Sequence, residues 1–75
     1  YIDTGASGTQ DGINLDDSDN NTILGNIIFA NTTGSYAVDI SNGSCVSNVV
    51  VGNYLNGGAA DVNDAGTLST VASNN

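Results

Sequence analysis

The stretch Asn21-Thr22-Ile23-Leu24-Gly25-Asn26-Ile27-Ile28 returns 27 residues later as Asn48-Val49-Val50-Val51-Gly52-Asn53-Tyr54-Leu55. A shortened copy, Ser69-Thr70-Val71-Ala72-Ser73-Asn74, follows 21 residues after that. The matching asparagines are Asn26, Asn53 and Asn74. A second set of segments runs alongside. Gly12-Ile13-Asn14-Leu15 matches Ala37-Val38-Asp39-Ile40 at a spacing of 25, with a weaker third member around Ala60-Asp61-Val62. Tyr1-Ile2 matches Tyr54-Leu55, so the sequence opens in mid-repeat.

Each repeat reads as short Ile-, Val- and Leu-rich strands separated by polar turns and a Gly-Asn corner. One such unit cannot bury its apolar side chains alone, so successive units must stack. Stacking places equivalent strands about 4.8 Å apart in parallel sheets. The expected architecture is an all-β solenoid of about three coils spanning roughly 15 Å of axis at that spacing. Its core columns are Ile13 over Val38, Leu15 over Ile40, Ile23 over Val50 over Val71, and Ile2 over Ile28 over Leu55. Gly25 and Gly52 allow a tight bend at the corner. Asn26, Asn53 and Asn74 are expected to stack as an amide ladder, in a left-handed backbone that Asn tolerates. A Gly-Asn pair also suits an antiparallel hairpin, but hairpins do not generate a period of 21–27 residues.

Composition narrows the function classes. The 75 residues include twelve Asn, ten Gly, eight Ser, seven Thr and eight Asp, with no Lys, Arg or His, giving a formal charge of −8. Without a basic patch, nucleic acid is not an expected partner, nor is an anionic membrane surface. No apolar run is long enough for a membrane-spanning helix. The residues that favour helix bundles are largely missing. The expected organisation is a single segment over residues 1–75, a piece of a longer chain or assembly.

The segments at residues 20–28 and 48–55 resemble the right-handed parallel β-helix repeat. This repeat occurs in pectate-lyase-like proteins, in the carbohydrate-binding and sugar-hydrolase repeat group, and in phage tailspikes and surface proteins. The resemblance covers about residues 11–74. It implies the fold, with a right-handed coil, and leaves the function open because the repeat encodes packing.

Four features carry candidate chemistry. Asp16-Asp17-Ser18-Asp19 is the densest acidic cluster, and glycoside hydrolysis needs two placed carboxylates. The polygalacturonase-like enzymes that the repeat resembles also carry His, Arg and Lys near the site, and this chain has none, so no catalytic set is assigned. Asp17, Asp19 and Asn21 have the alternating oxygen spacing of a calcium loop, although Thr22 replaces the usual Gly and Ile28 the closing acid. Calcium is therefore the one candidate cofactor. Cys45 has no His partner for nucleophilic chemistry and reads as a half-buried structural thiol. Tyr1, Phe29, Tyr36 and Tyr54 could stack on sugar rings; of these, Tyr1 and Tyr54 occupy equivalent positions two coils apart, about 10 Å at the strand spacing, with Ile27 between them. They form a candidate glycan platform.

The expected function is a non-catalytic structural coil stack of an extracellular or virion fibre, tailspike or surface protein. The alternative is a carbohydrate-binding module on the same scaffold. An open stack exposes apolar residues and strand edges at both ends. The expected partners are therefore other copies, as a homotrimer or an end-to-end polymer, or the remainder of a longer chain, with a glycan as a further candidate.

Overall fold

A computed structural model describes residues 1–75. Nine strands follow one another: β1 (Ile2–Asp3), β2 (Ile13–Leu15), β3 (Thr22–Leu24), β4 (Ile27–Ala30), β5 (Tyr36–Ile40), β6 (Val49–Val51), β7 (Tyr54–Gly57), β8 (Ala60–Asp64) and β9 (Thr70–Ala72). They form three parallel three-stranded sheets, β1-β4-β7, β2-β5-β8 and β3-β6-β9. Every neighbour in a sheet comes from the next coil and none from the next strand in sequence. That is the pattern of a parallel β-helix, and it excludes the hairpin arrangement.

The register follows the repeat. Ile2 pairs with Ile28 and Ile28 with Leu55. Ile13 pairs with Val38 and Val38 with Val62, so the weak third segment is a true member of its sheet. Ile23 pairs with Val50 and Val50 with Val71. Inward side chains alternate with outward ones along β3, β4 and β6, as the pleat requires, while β5 is buried from Ala37 to Ile40. Leu15, Ile23, Ile28, Val38, Ile40, Val50 and Leu55 are buried in one core cluster, and Ile2, Ile13 and Val62 pack against it half-buried. The molecule measures 32 × 21 × 15 Å, and three layers at about 4.8 Å account for the shortest dimension.

Four details depart from expectation. Val71 holds its column position but is 40% exposed, since β9 is the outer strand of its sheet within residues 1–75. Ile13, on the opposite terminal layer, is only half-buried for the same reason. Cys45 is fully buried rather than half-buried, its Sγ 3.3 Å from the Leu15 carbonyl. The ladder asparagines are not left-handed; the residue before each one is. Gly25, Gly52 and Ser73 have φ of 71°, 69° and 54°.

The opposite end of the β3-β6-β9 sheet repeats this device. Asn20, Ser47 and Leu68 have φ of 58°, 59° and 56° and each directly precedes the residue that opens the corner, Asn21, Asn48 or Ser69. Two left-handed residues per coil thus turn the chain into and out of that sheet. Glycine serves this conformation without strain, while Ser and Leu carry a steric cost there.

Candidate functional site

Two of the four buried polar side chains, Asn48 and Asn53, lie at the two corners. Asn53 is 2% exposed. Its Oδ1 accepts the main-chain N–H of Asn26 at 2.8 Å and the Asn26 amide at 3.2 Å. Its own amide donates to the carbonyls of Ile23 and Val51 and to Asn74 Oδ1. The Asn53 N–H donates to Asn74 Oδ1 at 3.0 Å, and the Asn74 amide reaches the Val50 carbonyl. Each asparagine therefore satisfies the corner backbone of the coil before it, where the β-ladder is interrupted and an N–H would otherwise stay unpaired.

A second ladder escaped the sequence reading. Asn48, 1% exposed, accepts the N–H and the amide of Asn21 at 2.8 and 3.0 Å and donates to the Ser18 carbonyl. Its signal was present, since Asn21 and Asn48 share the 27-residue spacing of the first ladder. The third coil has Ser69 at this position. A third column was also missed. Asp39, 9% exposed, accepts from the amides of Asn14 at 3.3 Å and Asn63 at 2.8 Å, one from each neighbouring coil. No cationic side chain exists to pair with this carboxylate, so two amide donors take that place.

The acidic turn between β2 and β3 is committed in the same way. Asp19 Oδ1 accepts the Val46 N–H at 2.9 Å, and Asp16 Oδ1 accepts the Asn42 amide at 2.7 Å. Asp17 is exposed, with φ of 49°. Of the candidate calcium ligands, Asp19 and Asn21 are thus bonded to the next coil and Asp17 projects into solvent. No group of three or more His, Cys, Asp or Glu side chains converges in a way that could hold a metal ion.

The aromatic platform is built differently from the expected one. On the outer face of β1-β4-β7, Phe29 lies between Tyr1 and Tyr54. Its ring centroid is 6.0 Å from that of Tyr1 and 5.9 Å from that of Tyr54, each pair tilted by 59°. These spacings fall in the range of favourable edge-to-face packing. Ile27 pairs with Tyr54 along the backbone, but Phe29 supplies the ring that bridges the tyrosines. Repeat equivalence links Tyr1 to Tyr54 through Ile27, whereas Phe29, two residues on and on the same face, is the aromatic residue that joins them. Tyr1 and Tyr54 remain exposed. Beside this column, the loop of residues 5–9 and residues 31–33 enclose an open polar depression of about 810 Å³, with Asp3 on its wall.

Carboxylates are unevenly placed. Strands β3, β4, β6, β7 and β9 carry none, whereas β1, β5, β8 and the turn after β2 carry most of the eight. Comparison with family models, with curated proteins and with solved structures finds no match.

Proposed function

We propose that this chain is a non-catalytic structural coil stack, a rod-like piece of an extracellular or virion fibre, tailspike or surface protein. One observation carries the reading: the buried polar side chains Asn48, Asn53 and Asp39 all bond to neighbouring coils. The acidic turn, the one cluster suited to general acid–base work, is also tied to the next coil. The extracellular or virion setting rests on the resemblance of the repeat.

The reading is tested by incubating the chain with a panel of neutral and acidic polysaccharides and measuring new reducing ends. No release above buffer is expected. Release that disappears in the Asp16→Asn, Asp17→Asn double variant would replace the scaffold with an enzyme.

A second reading, a carbohydrate-binding module, is favoured by the aromatic column. Three of the four aromatic side chains share one lateral face, next to an open polar depression. Exposed rings can stack on sugar faces while Asn, Thr and Asp groups bond hydroxyls. This reading expects a glycan-array signal that falls with Tyr1→Ala and Tyr54→Ala. A background-level array removes it.

A further inference from the structure

We infer that Asn42 is a site of self-modification. The main-chain nitrogen of Gly43 attacks the Asn42 side chain, and the asparagine ages to aspartate or isoaspartate while the coil stack stays folded. Three Asp or Asn residues stand directly before a glycine: Asp11, Asn42 and Asn56. In such a pair the glycine nitrogen reaches the preceding side-chain carbonyl with least hindrance, because no Cβ follows it. The attack closes a succinimide ring.

The fold withholds the attacking nitrogen at two of the three. The Gly12 N–H donates to the Tyr36 carbonyl at 3.0 Å, and the Gly57 N–H donates to Asp61 Oδ1 at 3.1 Å. Both glycines are also wedged in place. A methyl group on Gly12 would strike Ile28 and Ala37, and one on Gly57 would strike Ala60. The Asn56 side chain itself is exposed, so what that pair lacks is the free nitrogen. Gly43 is different. It is exposed, its N–H donates to nothing, and a Cβ there would meet no atom closer than 3.8 Å. Only its carbonyl is held, by the Thr67 hydroxyl at 2.8 Å.

The Asn42 amide is set up to receive the attack. Its Oδ1 accepts the Ser44 N–H at 3.0 Å, a donor aimed at the oxygen on which negative charge develops. Its Nδ2, the leaving nitrogen, donates to Asp16 Oδ1 at 2.7 Å. The Gly43 nitrogen gives its proton to hydroxide or water and bonds to Asn42 Cγ. The Cγ–Nδ2 bond breaks, and the nitrogen takes protons from solvent and departs as ammonium. A water molecule then opens the ring at either carbonyl. The net exchange is one amide and one water for one carboxylate and one ammonium, with nothing oxidised or reduced.

The product undoes a contact between coils. A carboxylate at residue 42 faces the Asp16 carboxylate where an amide used to donate, and the chain has no cationic side chain to place between them. Isoaspartate also lengthens the main chain in the turn whose Asn42 carbonyl accepts the Cys45 N–H at 3.1 Å. Asn42 Oδ1 lies 3.9 Å from the buried Cys45 Sγ, so the aged turn uncovers this thiol.

The test compares the folded chain with the same chain in urea. Both are held in mildly alkaline buffer at body temperature, and conversion at each site is followed by peptide mass mapping. In urea, Asn42 and Asn56 should convert at similar rates. In the folded chain, Asn42 should stay close to its urea rate, while Asn56 should slow by roughly fivefold, the factor that one net hydrogen bond supplies. Conversion at Asn42 should speed up as pH rises, because the attacking nitrogen must lose its proton. Gly43→Ala has room for its methyl group and should slow Asn42 in the folded chain, with circular dichroism reporting that the fold is kept. Alkylation of Cys45 should rise with the aged fraction of the parent chain and stay low in Gly43→Ala. A folded chain in which Asn42 slows as much as Asn56 overturns the inference, because the bonds to Asp16 and Ser44 would then lock the amide. Unchanged conversion in folded Gly43→Ala overturns it as well.

Discussion

Asn53 Oδ1 lies 2.8 Å from the main-chain nitrogen of Asn26, a residue 27 positions earlier. The contact joins two corners through a side chain where the strands themselves cannot reach. Three further bonds leave the same Asn53 side chain, to the Ile23 and Val51 carbonyls and to Asn74. Most of the order at this corner therefore depends on one amide.

Asn53→Ala removes the acceptor for a buried N–H and the donor to two carbonyls. Leaving such groups unsatisfied costs about 1–3 kcal/mol each at most sites. The expected loss is about 2–4 kcal/mol, read from urea unfolding. Asn53→Asp keeps the acceptor and loses the donor, and should fall within the same range. A loss below about 0.5 kcal/mol, the size of an ordinary surface substitution, would show that the ladder is incidental.

Val50 and Val71 share a column, but only Val50 is covered on both sides. Truncating Val50 to Ala should cost about 2 kcal/mol from lost burial and the cavity left behind. The same change at Val71 should cost less than half as much in the isolated chain. Equal costs would mean that the terminal coil is covered in solution.

Leu68 has φ of 56° and is 77% exposed. Its side chain gains little burial, and the backbone carries a left-handed cost of roughly 1–2 kcal/mol. Leu68→Gly or Leu68→Asn should therefore raise stability, by about 0.5–1 kcal/mol after the flexibility of Gly is counted. Thermal melting would check the sign, and a lowered midpoint would mean that Leu68 makes a contact with a partner.

Asp39 is held by two amides from the coils on either side. Hydrogen bonds to charged groups are worth about 1.5–3 kcal/mol. Asp39→Ala should cost roughly that amount in a urea titration, and Asp39→Asn less, because one carbonyl acceptor remains. Variants more stable than the parent chain would mean that charge repulsion outweighs the bonds.

Calcium should leave the melting temperature unchanged. Asp19 and Asn21 already bond the next coil, so an ion would have to displace those contacts. A midpoint that rises with calcium concentration would identify a stabilising ion, and loss of that rise in Asp17→Asn would place it at this turn.

Much of the fold was legible in the sequence because a repeat states its own register. Matching Asn26 with Asn53 aligned Ile23 with Val50 and Ile28 with Leu55, and the pleat then sorted inward from outward residues. The ladders were only partly legible. Asn21 was read against the Asp17-x-Asp19 spacing and so assigned to an ion, although Asn48 stood at the same 27-residue interval. Phe29 is visible in the sequence as one of four aromatic residues, but equivalent positions alone do not join it to Tyr1 and Tyr54, because ring contact runs diagonally between coils.

By itself the sequence determined the periodicity, the strand residues and the columns in which they stack. It also excluded partners that need cationic side chains. These are local or periodic properties, written in the order of residue types. Only the tertiary structure decided how far each column position is buried and which polar groups pair between coils. Such properties depend on which chain segments lie above and below a given residue, and winding brings together groups that are 21 to 30 positions apart.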